Sequence, residues 1–105
     1  MARDKHGVTI ARDVFTAAAF QRTVKVACRC GHVAIFDPHG LWNACQRRQL
    51  DMRFHELRKR LYCRECQARG IVSRPLVVEQ SNELPTIELP LPDERTWKQE
   101  LRRFR

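Results

Sequence analysis

Two close cysteine couples, Cys28 with Cys30 and Cys63 with Cys66, constrain this chain more than any other feature. A fifth cysteine, Cys45, stands alone inside a helix-like stretch. The odd number argues against a closed set of disulfides, and tight pairs in a reducing compartment point to a metal instead. A cytoplasm is the expected compartment. The longest uninterrupted apolar runs, Ala17 to Phe20 and Val33 to Phe36, are four residues each, against the roughly 20 that a bilayer span needs. Asp4, Arg12 and Asp13 break any secretory-signal core near the start.

Zinc takes soft or borderline ligands in a tetrahedron, and two residues close in sequence can each reach a vertex from a tight turn. Cys63-Arg64-Glu65-Cys66 has the usual knuckle spacing, whereas Cys28-Arg29-Cys30 is one residue shorter and is followed by His32. Three side chains therefore compete for two vertices. Alternation along a strand puts the Cys28 and Cys30 thiols on one side, so the favoured ligands are Cys28, Cys30, Cys63 and Cys66. His32 is the alternative, paired with Cys30. Buried core thiols compete with this reading, as does a redox role for Cys63 and Cys66, although the βαβ context of a thioredoxin-like site is missing. At 105 residues one domain fits, and a core of that size is marginal without a staple. A structural zinc supplies apparent binding energy on the order of 10 kcal/mol.

The pattern around the cysteines alternates between strand and helix. Residues 10–21 have helical content. Val24, Val26 and Cys28 alternate with Lys25, Ala27 and Arg29, which predicts a half-buried strand. Gly31-His32 makes a turn and Val33 to Phe36 returns, giving a hairpin with the first couple at its tip. Asp37-Pro38 opens a helix over 38–49, with Leu41, Cys45 and Trp42 as its apolar stripe. Asp51 is a second N-cap candidate, and Phe54, Leu57 and Leu61 recur on one helical face leading into Tyr62-Cys63. Pro75 confines Ile71 to Glu79 to an edge strand or splits it. Residues 80–92 carry three prolines and read as extended or linker. Asp93 caps a last helix, 94–104, with Trp97, Leu101 and Phe104 on one side.

The run from Cys28 to Gly70 contains Cys28-Arg29-Cys30-Gly31-His32, Asp37-Pro38-His39-Gly40-Leu41-Trp42, Arg47-Arg48, Arg60-Leu61-Tyr62-Cys63 and Cys66. It resembles small bacterial zinc-ribbon-like proteins over 43 of the 105 residues. The resemblance implies a metal-held ribbon with helices inserted between the knuckles, and implies no activity. Gln67 follows Cys66 where such proteins usually carry glycine. The expected fold class is therefore α+β, a zinc-ribbon-like hairpin with two helices between the knuckles and a helical arm at each end. Residues 1–21 form the first arm, partly disordered or helical; 22–80 form the ribbon domain; 81–105 form an acidic linker and a basic helix.

Charge suggests what such a scaffold contacts. The formal net charge is +8, but residues 47–74 hold nine basic groups against three acidic, while 75–94 hold five acidic and no basic ones. Arg47, Arg48, Arg53, Arg58, Lys59 and Arg60 offer a positive surface suited to phosphates. The expected role is contact with nucleic acid, DNA ahead of RNA, or with a nucleic-acid machine, as a regulator or accessory factor. The competing role is a protein adaptor that docks through Trp97, Leu101 and Phe104 in a partner's groove. An enzyme is disfavoured: His6, His32, His39 and His55 are scattered, and no G-x-S-x-G, P-loop or H-E-x-x-H motif occurs.

Overall fold

The computed structural model describes the backbone of residues 2–3 and 9–104 and the side chains of 10–103. The expected disorder near the start falls mostly on residues outside that set. Two short strands, Ala2–Arg3 (β1) and Thr9–Ile10 (β2), pair antiparallel.

The alternating stretch Thr23–Ala27 (β3) is the centre of a three-stranded antiparallel sheet. Val33–Phe36 (β4) returns along one side of it and Val77–Ser81 (β5) along the other. Directly opposed residues share a face, so the register Val24↔Phe36, Val26↔Ala34 and Val26↔Val78 gathers these side chains on one side. Two helices belong to that core. Val14–Ala19 (α1) starts where the Asp13 carboxylate accepts the Thr16 N–H at 2.6 Å. Pro38–Arg48 (α2) starts where Asp37 accepts the Gly40 N–H at 2.9 Å. The buried alanines of α1 let it approach α2 closely, and Val14, Ala17, Val24, Leu41, Trp42, Cys45 and Leu57 form the main apolar cluster. The architecture is α+β, with five helices among the described residues.

One expected helix is much shorter than its periodicity predicts. Phe54 and Leu57 are buried on a single turn, Phe54–Leu57 (α3), and turns follow over 58–60. Arg58, Lys59 and Arg60 are all exposed, so a further turn would bury little and gain nothing to offset its ordering. Asp51 does not cap this turn. It accepts the Arg53 N–H at 3.0 Å and the Arg53 guanidinium at 2.6 Å, and α3 has no side-chain cap.

The rest of the chain wraps this core. A fourth helix, Arg64–Ala68 (α4), follows the second cysteine couple, and β5 begins two residues after Pro75 on the sheet edge, where a missing N–H is tolerated. The extended stretch 86–90 lies along β4 and α2. Thr86 and Ile87 donate to the Ile35 carbonyl at 2.7 and 3.0 Å, and Asn43 donates to the Pro90 carbonyl at 3.0 Å. It thereby covers the outer edge of β4. Asp93 accepts the Thr96 N–H at 3.4 Å and opens Glu94–Phe104 (α5). Trp97 from α5 reaches the core, with ring centroids 5.1 Å from Trp42, 5.4 Å from Phe15 and 4.9 Å from His39. No helix among the described residues is long and apolar enough to cross a membrane.

Candidate metal centre

The first cysteine couple sits where β3 gives way to a tight turn. The Cys28 N–H donates to the His32 carbonyl and the Gly31 N–H to the Cys28 carbonyl, both at 3.0 Å. This folds the turn so that the Cys28 and Cys30 thiols approach one region. The second couple opens α4, with Cys63 at its N-cap and Cys66 within its only full turn. That helix stops at once. Gly70, at φ +80°, lets the Gly70 N–H reach Gln67 and the Ile71 N–H reach Cys66, both at 2.9 Å, a helix-ending motif that favours glycine at its left-handed position. The chain then turns back, and the Cys63 N–H donates to the Ser73 carbonyl at 2.9 Å.

These two local structures bring four sulfurs together from couples more than thirty residues apart. All four Sγ atoms lie within 4.8 Å of one another; Cys28 and Cys66 are 3.7 Å apart, and Cys30 and Cys63 are 3.6 Å apart. A disulfide needs about 2.05 Å, and all five cysteines are free thiols. Cys28, Cys63 and Cys66 are buried in a small cluster of their own, and Cys30 is exposed. The four are positioned to bind a metal ion. His32, the alternative ligand, supplies a backbone carbonyl to the turn and is not one of the four converging groups.

The site's electrostatics are uneven. Hydrogen bonding from the Cys30 backbone, followed by the Ser73 hydroxyl 3.6 Å away, pulls the Cys28 thiol down to about 6. Burial, reinforced by the neighbouring thiols, pushes Cys66 up to about 12. The Cys28 thiolate therefore forms readily, whereas Cys66 keeps its proton unless a cation stands beside it. Cys45 stands apart in the main core, where burial raises it to about 11.

The basic residues divide into paired and unpaired groups. Arg53 is bound to Asp51, and Lys59 lies 3.2 Å from Glu56. Arg47, Arg48, Arg58 and Arg60 are exposed without a carboxylate partner among the described residues. Arg64, outside the basic set expected from the sequence but marked by its place between Cys63 and Cys66, also has no carboxylate partner among the described residues and lines one cleft with Arg48 and Arg60. Of the three residues expected to meet a partner, Trp97 is seated on the protein's own core and Leu101 is half-buried. The Phe104 side chain lies outside the described residues. Comparison with protein-family models, curated proteins and solved structures finds no match to this chain.

Proposed function

We propose that this is a zinc-binding protein that contacts nucleic acid, or a nucleic-acid machine, as an accessory factor or regulator and acts by binding rather than catalysis. Four thiolates are the donor set that suits structural zinc. Zinc–sulfur bonds of about 2.3 Å place the vertices of a tetrahedron about 3.8 Å apart, close to the 3.6 and 3.7 Å separations of the two thiol pairs. Four protein ligands also close the coordination sphere, which leaves no open position of the kind a hydrolytic zinc requires. In this reading the hairpin tip and the start of α4 act as the two knuckles of a ribbon-like unit, and its free thiols suit a reducing cytoplasm.

The observation that carries the nucleic-acid reading is the group of arginines beside that centre without carboxylate partners. Internal ion pairing neutralises Arg53 and Lys59, but Arg48 from α2 and Arg60 and Arg64 from the chain leading into α4 have no carboxylate partner among the described residues and surround one cleft. Each phosphate they neutralise releases counterions, so binding must weaken steeply with salt. DNA is the favoured polymer. The adaptor reading has no separate observation in its favour, because Trp97 already fills a site on its own core.

Elemental analysis of purified protein is expected to give one zinc per chain, reduced by Cys63→Ser. Fluorescence anisotropy with a labelled oligonucleotide is expected to show binding at about 50 mM salt that falls linearly on a log–log salt plot. Arg47→Glu combined with Arg48→Glu flattens that slope. A metal-loaded protein that binds neither DNA nor RNA at about 50 mM salt would end this reading.

A further inference from the structure

The unpaired arginines rim a concavity rather than a flat or convex face. A cleft of about 450 Å³ opens where β4, α2 and the chain from Leu57 to Arg64 meet, directly beside Cys28 and Cys63. Its volume lies in the range of small-ligand sites, about 300–1,000 Å³. The walls are mostly apolar, with Phe36, Leu41, Ala44 and Leu61 among them. Besides the arginines, His32, Tyr62 and Gln67 bring polar groups to it.

Tyr62 has a distinctive setting. It is 50% exposed, and the Arg74 guanidinium lies over its ring at 5.8 Å from the centroid. Arg74 is itself held by a 3.1 Å hydrogen bond to the Leu61 carbonyl. An exposed aromatic ring, backed by a fixed guanidinium and bordered by further arginines, is a platform on which a base can stack.

We propose that this cleft receives one unpaired nucleotide of a single-stranded nucleic acid, its base against Tyr62 and its flanking phosphates on Arg48, Arg60 and Arg64. The proposal rests on the nucleic-acid reading above and narrows it from polymer to strand state. A duplex keeps its bases stacked inside a convex surface, so its phosphates can touch the rim while the cleft stays unfilled. An unpaired nucleotide meets both. Its edge offers donors and acceptors to His32, Gln67 and the Tyr62 hydroxyl, which an aliphatic anion would not engage.

The test uses full-length, zinc-loaded protein and a labelled mixed-sequence strand of about 12 nucleotides, alone and annealed to its complement. The single strand is expected to bind about ten-fold or more tightly than the duplex. Tyr62→Ala should weaken single-strand binding about ten-fold and spare duplex binding, while Tyr62→Phe retains most of it. Arg60→Glu and Arg64→Glu should weaken the single strand and lower its salt slope by about one each. Tyr62 is exposed, so an unchanged melting curve can establish that its variants are folded. Equal or tighter duplex binding, or indifference to Tyr62→Ala, overturns the cleft proposal and leaves the broader reading in place. Absence of binding to either form at about 50 mM salt overturns both.

Discussion

Gln49 ends α2 in the left-handed region, at φ 54°, which disfavours residues with a Cβ. It stays there because two otherwise orphaned carbonyls gain partners: the Gln49 N–H reaches Gln46 at 3.3 Å and the Leu50 N–H reaches Cys45 at 2.9 Å. Gln21 does the same at the end of α1, at φ 56°, with the Arg22 N–H on the Ala17 carbonyl at 2.8 Å. Glycine fits the geometry without steric cost but loses more entropy on folding. Gln49→Gly is therefore expected to stabilise the protein by about 0.5–1 kcal/mol, read as a higher urea midpoint at constant slope. A lower midpoint would show that the Gln49 side chain contributes more than its strained backbone costs. Gly40 presents the reverse case. A Cβ built there would stand 2.6 Å from the Leu89 carbonyl oxygen, and backbone cannot move aside as a flexible side chain does. Gly40→Ala should cost about 1–3 kcal/mol, a drop of roughly 4–8 °C in Tm per kcal/mol for a domain near this size. An unchanged Tm would mean that residues 86–90 are not held against α2.

Elements whose signals are local were legible in the sequence. The hairpin follows from two-residue alternation, and α2 and α5 begin at Asp37 and Asp93, where each cap lies three residues from the N–H it accepts. What local pattern does not contain is the partner of each apolar face. The periodicity of Trp97 and Leu101 says that α5 buries one side, and it holds equally for another protein's groove or for this chain's own core. The short length of α3 was hidden for a related reason, because Leu61 continued the period while the three residues before it had no apolar surface to bury. Likewise Ile35 and Thr86 meet across 51 residues of sequence, and nothing in the proline-rich stretch marks that contact. The docking of α5 gives a prediction at this scale. Trp97→Ala should destabilise by about 2–3 kcal/mol, below the 3–5 typical of a fully buried tryptophan, because Trp97 is only partly covered. Lys98→Ala removes only an exposed pair with Glu94 and should change stability by less than about 0.5 kcal/mol. Equal midpoints for the two variants in urea would show that α5 adds nothing to the core in solution.

At the scale of the whole molecule, the described residues form two buried clusters joined by a short sheet. The larger draws on α1, α2, α3 and β3 and contains none of the four converging cysteines. The smaller consists of Cys28, Cys63 and Cys66 alone. Without a cation the four thiols are joined only by weak contacts between sulfurs, Cys28 to Cys66 at 3.7 Å and Cys30 to Cys63 at 3.6 Å. The order of the segments around them must therefore depend on the metal more strongly than the helical core does. The sequence alone suggests that chelation unfolds all of 22–80, since it gives no way to separate the cysteines from the hydrophobic pattern they interrupt. The division into clusters narrows that expectation. After chelation, hydrogen exchange should accelerate first at the Cys28, Gly31, Cys63 and Ile71 amides, whose partners lie in the turn, in α4 and at Ser73. The Ala17 amide, bonded to Asp13, and the Leu41 amide, bonded to Asp37, should retain protection, as in a local opening rather than global unfolding. Adding zinc back should restore the first group. Simultaneous loss at all six amides would show one cooperative unit, with the helical core unable to stand once the cysteine end is released.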